Sequence, residues 1–562
     1  MFDSPKDAFV WDVSHQAYTH KILTNRNNEF STIRQKGGIS GFTKFNESEH
    51  DWFDAGHAST SISSALGLLA GRKISGEDGK VIAILGDGAL TGGMAFEALS
   101  HAGQISNDLI VVLNDNQMSI NGNTGSISRY LSKLTATAEY QSFRNAVDRF
   151  IDKIPLIGKK TTKLIFRTKR AVKGLVFSNN IFSDLGFEYV GPLNGHSIPD
   201  LIKVFEKVKN LDKPVVLHII TKKGRGYEPA EKDPVAFHGV APKSNKIEKN
   251  PSFTKVFGNK IVDLAQKNDK IVAITAAMTD GTGLTTFAEQ FPNRFFDVGI
   301  AEEHAVTFAG GLARAGLKPV VAIYSTFIQR SVDQLIHDIA LQNIPAVFVL
   351  DRSGPVPADG ETHQGIFDIS LLRPIPNVFL LTPASQIELE NCLEWAIKQE
   401  KSVVIRYPKA ECPAELPEFA QAITLGQGVL IPHEKTATQK ADILFVCTGG
   451  IIDEVQIARD ELAKENKFAD IYNLRFLKPL DKDHFIEVAK NYDRIFFVED
   501  GIRIGGIGTY LESLLYRTFG NKKTLVSGFS DRFLPQGTRK EILQEARLTG
   551  ELLAKKAHKL WD

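Results

Sequence analysis

Short apolar runs alternate with helical patterns in the first part of the chain. Residues 81–85 (VIAIL) and 109–113 (LIVVL) are continuously apolar, as are strands buried on both faces of a parallel sheet. Between these runs, apolar residues recur at the spacing of an amphipathic helix, at Ala95, Ala98, Leu99 and Ala102. The pattern predicts one βαβ unit, in which a helix connects two parallel strands.

The same rhythm returns in two later regions of the chain. In the second region we predict strands at 271–275, 319–324 and 346–350, and helices at 302–315 and 331–342. In the third region we predict strands at 442–447, 469–474 and 494–500, again separated by helical segments. The fold class is therefore α/β, with three doubly wound domains and mostly parallel sheets.

Two polar, proline-bearing stretches separate these regions. Residues 228–252 are rich in Pro, Lys, Glu and Asn, and residues 408–421 are rich in Pro and Glu. Such compositions are typical of interdomain linkers. The two stretches divide the chain into predicted domains at 1–240, 252–408 and 422–562.

The composition excludes several classes of function but does not identify one. The formal net charge of the 562 residues is +1, so no global field favours nucleic acid or anionic lipid. No apolar run approaches the length of a bilayer-spanning helix, and the first residues, MFDSPKDAFVWD, do not resemble a signal peptide. The three cysteines lack the paired spacing of disulfides or zinc sites. We expect a cytoplasmic enzyme that binds neither nucleic acid nor membrane.

One segment departs from this neutrality. Residues 159–173 carry seven basic side chains and no acidic ones. No aromatic platform or reader motif accompanies them, so a solvated helical insert is favoured over a nucleic-acid patch. We assign this segment no function.

Polar motifs follow the two strands of the predicted βαβ unit. Gly86-Asp87-Gly88 ends the first strand, and Asn114-Asp115-Asn116 ends the second. Because the carboxyl ends of parallel strands meet at one edge of a sheet, Asp87 and Asn116 are expected to converge. One carboxylate and one amide oxygen suit Mg²⁺ whose remaining ligands come from a diphosphate. Each motif alone could be an ordinary turn, but the pair on consecutive strands favours the binding site.

These motifs resemble the diphosphate-binding motif of thiamine-diphosphate enzymes, which runs from GDG to a closing NxN. The resemblance implies thiamine diphosphate and Mg²⁺ as cofactors, with the metal held by Asp87, Asn116 and the Met118 carbonyl.

Longer blocks are similar to the 1-deoxy-D-xylulose-5-phosphate synthase family, a transketolase-like family. In the predicted first domain they include WDVSHQAYTHKILTNR (11–26), IRQKGGISGF (33–42) and TKKGRGYEPAEKDP (221–234). In the second they include DVGIAEEHAVTFAGGLA (297–313) and DRSGPVPADGETHQGIFD (351–368). The family ordinarily begins a few dozen residues earlier, with a Ser-Gly-Gly-His stretch that no position here matches, and we interpret this chain as N-terminally short. A start codon assigned too late, a truncated sequence and a natural short paralogue all stay open. Without that histidine we expect weak or altered activity.

The resemblance also implies roles for individual residues. Glu302 is expected to hydrogen-bond the N1′ atom of the cofactor's aminopyrimidine, and Phe327 to stack on that ring. A glutamate at a helix start is more often a cap or dipole partner, and its neighbour Glu303 is not assigned. The implied cofactor contacts are His15, Gly56, His57, Ala58, Gly88, Ala89, Asn116, Tyr227, Glu302 and Phe327.

A second set of residues is expected at the substrates. Guanidinium groups bind phosphate in bidentate fashion, so Arg352 and Arg406 are candidate anchors for the phosphate of an acceptor. By resemblance, Tyr324, Arg330, Asp359 and His363 surround the pyruvate-derived group and the acceptor carbonyl. Each could alternatively be a surface ion pair or a core residue. The implied catalytic residues are Glu302, His363 and His15, with His238 a weaker candidate.

The implied reaction is decarboxylation of pyruvate and transfer of its two-carbon unit to glyceraldehyde 3-phosphate. The product is a precursor of isoprenoids, thiamine and pyridoxal, and the family implies a homodimer. Two alternatives stay open: a transketolase-like ketol transferase and a catalytically inactive short paralogue.

This sequence departs from the family pattern at three positions. Ser14 stands where glycine is usual, Ala58 where serine is common, and Gly239 where alanine is common. Of these, Ser14 matters most because it precedes His15, a predicted cofactor contact.

Overall fold

A computed structural model describes residues 1–106, 108–116, 126–136, 180–239 and 250–561. Its contacts divide the chain into two compact units. The first unit holds residues 1–28 and 41–240, and the second holds 29–40 and 241–562. Met118 and the basic segment 159–173 lie outside the described residues. Within the described ranges, no helix combines the length and apolarity needed to cross a bilayer.

The described part of the first unit contains a five-stranded parallel sheet. Its strands are β1 (Ala8–Trp11), β2 (Val81–Gly86), β3 (Leu109–Asp115), β4 (Glu188–Asn194) and β5 (Val215–Ile220), in the order β1-β2-β3-β5-β4. Its α-helices are Tyr18–Lys21, Ser61–Ser75, Gly93–Ile105, Ser126–Ala136, Ile181–Asp184, Ile198–Val208 and Glu228–Lys232.

The predicted βαβ unit is confirmed. Strands β2 and β3 pair in parallel, with Val81 opposite Leu109, and the helix Gly93–Ile105 connects them. The apolar stripe of that helix is its buried face: Ala95, Ala98, Leu99 and Ala102 are all at most 5% exposed. Burial of this stripe against the sheet is what holds the helix in place.

The second unit contains two sheets among its described residues. The first consists of β6 (Ile271–Thr275), β7 (Phe295–Asp297), β8 (Lys318–Tyr324), β9 (Val347–Asp351), β10 (Val378–Leu381), β11 (Ser402–Arg406) and β15 (Phe476–Lys478). The strand order is β15-β10-β11-β9-β8-β6-β7, and only the β10–β15 pairing is antiparallel. The associated α-helices are Phe253–Lys267, Thr285–Gln290, Glu302–Arg314, Val332–Gln334, Asp368–Leu372 and Gln386–Ile397.

One predicted helix of this region differs from the structure. The stretch at 331–342 is a short α-helix, Val332–Gln334, that continues into a π-helical turn, Leu335–Ala340. The wider turn keeps Leu335 and Ile339 fully buried, and such turns interrupt the regular spacing that a sequence pattern assumes.

The last sheet follows the third apolar region. Its strands are β12 (Val429–Ile431), β13 (Ile443–Thr448), β14 (Ala469–Leu474), β16 (Arg494–Ile502) and β17 (Lys523–Phe529), in the order β12-β14-β13-β16-β17. Strand β12 is antiparallel and the others are parallel. Its α-helices are Ile452–Ala463, Lys482–Ala489, Ile507–Phe519, Arg539–Glu545 and Gly550–Ala557.

Two features join the sheets of the second unit. Strand β15 directly follows β14 in sequence but pairs with β10 of the other sheet. Beside it, Arg475 forms a buried ion pair with Glu388, whose carboxylate also accepts from the Asn473 amide at 2.9 Å and the Ala384 N–H at 2.6 Å. A buried carboxylate needs such partners because burial without them disfavours its charge.

We expect Arg475→Met to destabilise the second unit by about 3–5 kcal/mol, because Glu388 would be left buried without its cation. Urea unfolding of the variant and the parent protein tests this. The double variant Arg475→Met/Glu388→Gln should recover part of the loss, since no charge is then buried. Wild-type stability in the single variant would show that the pair does not support the fold.

Candidate active site

The carboxyl ends of three neighbouring strands build the polar site of the first unit. Strands β1, β2 and β3 lead into Asp12, Asp87 and Asn116 respectively. The Asp12 carboxylate accepts from the backbone N–H groups of Ser59 at 2.8 Å and Ser61 at 3.1 Å. It therefore fixes the loop that carries the predicted contacts Gly56, His57 and Ala58.

That loop is also tied to the turn after β2. The Ser59 hydroxyl donates to the Ala89 carbonyl at 2.7 Å. Gly56, Ala58, Gly88 and Ala89 are all buried, whereas the His57 side chain is partly accessible. The roles of Asp12 and Ser59 were not predicted; the available signal was an acid directly after a strand.

Asp87 is buried against a second acidic residue, Asp115. Burial, and next the neighbouring Asp115 carboxyl, raise the pKa of Asp87 to about 7, and the Asn116 N–H donates to the Asp87 carboxyl. The structure thus brings Asp87 and Asn116 together. Two facing carboxyl groups favour a cation between or beside them, and a sparse set of oxygen donors fits Mg²⁺ that also binds a diphosphate.

Asp115 is held from the other side by a buried chain of hydrogen bonds. His218 on β5 lies with Nε2 3.1 Å from the Asp115 carboxylate, and its Nδ1 is 2.8 Å from the Tyr189 hydroxyl. His218 is fully buried. This chain orients Asp115 toward the strand ends, as partners of metal-site residues commonly do.

The turn before His15 has an unusual backbone. Val13 and Ser14 have φ values of 52° and 62°, in the left-handed region that favours glycine. The buried Ser14 hydroxyl accepts from the Thr43 N–H at 2.8 Å. This hydrogen bond offsets the cost of a serine where the family has glycine.

His15 itself stacks on His238. Their ring centroids are 4.2 Å apart and the rings are nearly parallel, at 9°. Tyr227, the remaining predicted contact in this unit, is 58% exposed, and its ring meets the edge of Phe237 at 5.6 Å.

In the second unit, Glu302 begins the helix Glu302–Arg314 and is 2% exposed. Burial raises the pKa of its carboxyl to about 7, although Arg330, with Nη1 3.6 Å away, opposes the shift. A carboxyl with such a pKa can both hold and release a proton at neutral pH. The structure therefore places Arg330 beside Glu302, whose carboxyl can exchange a proton near neutral pH.

Aromatic side chains gather beside them. Phe327 stacks on Tyr324 at 5.6 Å and meets His363 edge-on at 5.6 Å. The Arg352 guanidinium lies 3.6 Å over the Tyr324 ring, a cation–π contact, and donates to the Gly281 carbonyl at 2.6 Å. Four of the predicted substrate and cofactor residues are thus in one group.

This group is rich in positive charge. Arg34 forms an ion pair with Asp359. Burial lowers the pKa of His363; Asp359 opposes this shift, while Arg34, Arg352 and Lys409 add to it. Such an excess of cations suits a phosphorylated substrate. Arg34 and Lys409 were not singled out from the sequence, although both lie inside or beside the motif blocks.

The structure places Arg406 in a buried network of ion pairs. We predicted a phosphate contact, but the residue is fully buried and donates to Asp368 through Nε and to Asp500 through Nη1, each at 2.7 Å. Its guanidinium therefore links the two sheets of the second unit and offers no accessible face to a substrate. Lys409, three residues later, is exposed as a whole residue and interacts electrostatically with Arg352, although burial lowers the pKa of its amine.

Family models account for most of the chain. A model for 1-deoxy-D-xylulose-5-phosphate synthase matches residues 1–221, one for the transketolase pyrimidine-binding domain matches 249–414, and one for the transketolase C-terminal domain matches 434–552. Together with the sheets and the site, these matches define a transketolase-type enzyme that depends on thiamine diphosphate.

Curated relatives specify the family. Proteins named 1-deoxy-D-xylulose-5-phosphate synthase are 50% identical in Treponema pallidum and 45% identical in Natranaerobius thermophilus, each over 99% of this chain and 89% of the relative. A relative of that name from Geobacter sulfurreducens is 45% identical over 96% of this chain and 85% of its own length. The chain belongs to the 1-deoxy-D-xylulose-5-phosphate synthase family.

The raised pKa of Glu302 predicts a pH-dependent stability. The folded protein holds a proton that the unfolded chain releases between the ordinary pKa of 4.5 and about 7, so stability from this group falls as the pH rises through that window. We expect Glu302→Gln to stabilise the cofactor-free protein by up to about 3 kcal/mol at pH 8, with the gain vanishing near pH 4. Melting curves across this range measure it.

The adjacent Glu303→Gln is the matched control for this experiment. Glu303 lies on the same helix turn but is only partly buried, and its charge contributes only a minor part of the raised pKa of Glu302. Its substitution should therefore shift the pH profile slightly without abolishing it. Parallel profiles for wild type and Glu302→Gln would contradict the assignment of a buried, protonated Glu302.

Proposed function

We propose that this chain makes 1-deoxy-D-xylulose 5-phosphate from pyruvate and glyceraldehyde 3-phosphate, using thiamine diphosphate held through Mg²⁺. The product is a precursor for isoprenoids, thiamine and pyridoxal. The observation that carries the proposal is the buried Glu302 with a pKa near 7, within a group of aromatic and cationic side chains. Family membership supports the choice of substrates.

Residues of the first unit are proposed to hold the cofactor's diphosphate and metal. Asp87 and Asn116, with the Met118 carbonyl, would bind Mg²⁺, while the buried glycine-containing loops 56–61 and 86–89 allow close approach of phosphate oxygens. When bound, thiamine diphosphate supplies the nucleophilic carbon and the electron sink for decarboxylation.

Residues of the second unit are proposed to manage protons and substrates. Glu302 would donate to N1′ of the aminopyrimidine, which its raised pKa permits at neutral pH. Phe327 would contact the pyrimidine ring, and Tyr324 and Arg330 the pyruvate-derived group. His363, with its lowered pKa, is neutral at pH 7 and would accept or deliver a proton at the acceptor carbonyl.

The phosphate of the acceptor is proposed to bind Arg352 and Lys409. Both interact electrostatically with His363, and Lys409 is exposed as a whole residue although burial lowers the pKa of its amine. Arg34 would act through Asp359, whose pKa stays below its ordinary value because His363, Arg34 and Lys409 outweigh the effect of burial. Asp359 therefore remains an anion that orients His363.

We further propose a cytoplasmic homodimer. The near-neutral net charge and absent paired cysteines are ordinary for such an enzyme. The family provides the expectation of two subunits, and sedimentation velocity measures the assembly directly.

The decisive assay supplies the two candidate donors, pyruvate and a ketose phosphate, in separate reactions. With thiamine diphosphate and Mg²⁺, we expect pyruvate to release CO₂ in step with loss of glyceraldehyde 3-phosphate, and Glu302→Ala to abolish turnover because the N1′ partner is lost. Asp87→Ala should weaken cofactor binding at least tenfold, measured by calorimetry. Turnover of a ketose phosphate instead would indicate a ketol transferase, and no turnover with a bound cofactor would indicate an inactive paralogue.

Substitution of the cationic residues tests the acceptor site. Arg352→Met and Lys409→Met should each raise KM for glyceraldehyde 3-phosphate about tenfold to hundredfold, the value of a charge-assisted hydrogen bond. Unphosphorylated glyceraldehyde should be used equally well by variants and wild type.

The control is Lys398→Met, which removes an exposed lysine paired with Glu394 on the helix surface. Equal losses for both aldehydes would contradict a phosphate contact.

A further inference from the structure

Lys223 contacts His238, one of two stacked histidines in the first unit. Its Nζ lies 2.8 Å from Nδ1 of His238, and the His238 ring stacks on His15 at 4.2 Å. We call His15, His238 and Lys223 the histidine stack. Neither the sequence motifs nor the proposed mechanism gives Lys223 a role.

The backbone around the stack is fixed independently of Lys223. The Gln16 carboxamide donates to the carbonyls of His238 at 3.2 Å and Phe237 at 3.4 Å. These contacts hold residues 237–238 beside the turn that carries His15. We therefore expect loss of the Lys223 side chain to change the protonation of His238 more than the position of its ring.

The contact with Lys223 determines where His238 carries its proton. A lysine ammonium has three donors and no acceptor, so the Nδ1 atom facing it must accept. The His238 ring is therefore neutral, with its single proton on Nε2. A protonated ring would place a second positive charge 2.8 Å from the ammonium, which repulsion disfavours.

The Lys223 amine also interacts electrostatically with Asp87. Burial lowers the pKa of its amine to about 8, and the Asp87 carboxylate opposes the shift. The Asp87 interaction also places Lys223 near the strand ends at which the diphosphate is proposed to bind.

We infer that Lys223 is a positioning residue that fixes His238 as the Nε2–H tautomer, so that the histidine stack presents a hydrogen-bond donor to an anionic ligand. The inference about the ligand rests on the proposed function, because the anion is taken to be the cofactor's diphosphate. The tautomer itself follows from the contact between Lys223 and His238 alone.

The chain supplies a matched set of variants. Lys223→Met keeps most of the apolar stem and removes the donor, whereas Lys223→Arg keeps a donor. Lys222→Met is the control, because the adjacent Lys222 is exposed and paired with Glu231.

The test reads the tautomer directly. In cofactor-free protein labelled with ¹⁵N-histidine, with His238→Gln for assignment, we expect His238 to show unprotonated Nδ1 and protonated Nε2. Lys222→Met should keep that pattern, and Lys223→Met should mix the tautomers. In Mg²⁺ buffer, Lys223→Met should raise the dissociation constant of thiamine diphosphate about tenfold, and Lys223→Arg should restore most of the affinity.

The outcomes separate this inference from the proposed function. An unchanged His238 tautomer in Lys223→Met would overturn the positioning role, whatever the enzyme catalyses. A shifted tautomer with unchanged cofactor affinity would overturn the link to the diphosphate. If wild-type protein bound no thiamine diphosphate, the proposed function would fail while the tautomer result still stood.

Discussion

A parallel sheet brings the carboxyl ends of its strands to one edge, and the site residues of each unit depend on that constraint. In the first unit, adjacent strands deliver Asp12, Asp87 and Asn116 to one place. In the second, neighbouring strands β8 and β9 end at Tyr324 and just before Arg352, whose guanidinium lies over the tyrosine ring. Distant sequence positions thereby become neighbours without any local motif connecting them.

Burial then sets the chemistry of these residues. Asp87 and Glu302 lie in different units, yet burial raises the pKa of each carboxyl to about 7. Each group thus costs stability when it is ionised, and a bound cation or a hydrogen-bond donor would relieve that cost. Ionisation of these buried carboxyl groups therefore lowers the stability of the ligand-free protein. Perturbed pKa values of this kind are common at sites where catalysis requires them.

Two arginines show that burial decides whether an arginine side chain stabilises the fold or can bind a ligand. Arg406 ends β11 and Arg352 directly follows β9 of the same sheet, so a motif-based argument treats them alike. Arg406 is enclosed by Asp368 and Asp500, whereas Arg352 retains some exposure beside Tyr324. The buried ion pairs of Arg406 stabilise the junction of the two sheets, whereas Arg352 is partly exposed and can still contact a ligand.

The sequence by itself determined the α/β class, the βαβ unit, the GDG and NDN motifs and the family resemblance, because these depend on local periodicity and short spacings. Only the tertiary structure decided that β15 joins a different sheet, that residues 29–40 pack with the second unit, and that Arg406 is enclosed by two carboxylates. It also paired Lys223 with His238. These facts depend on which distant side chains meet and which groups water can reach, and neither is encoded in the spacing of residues along the chain.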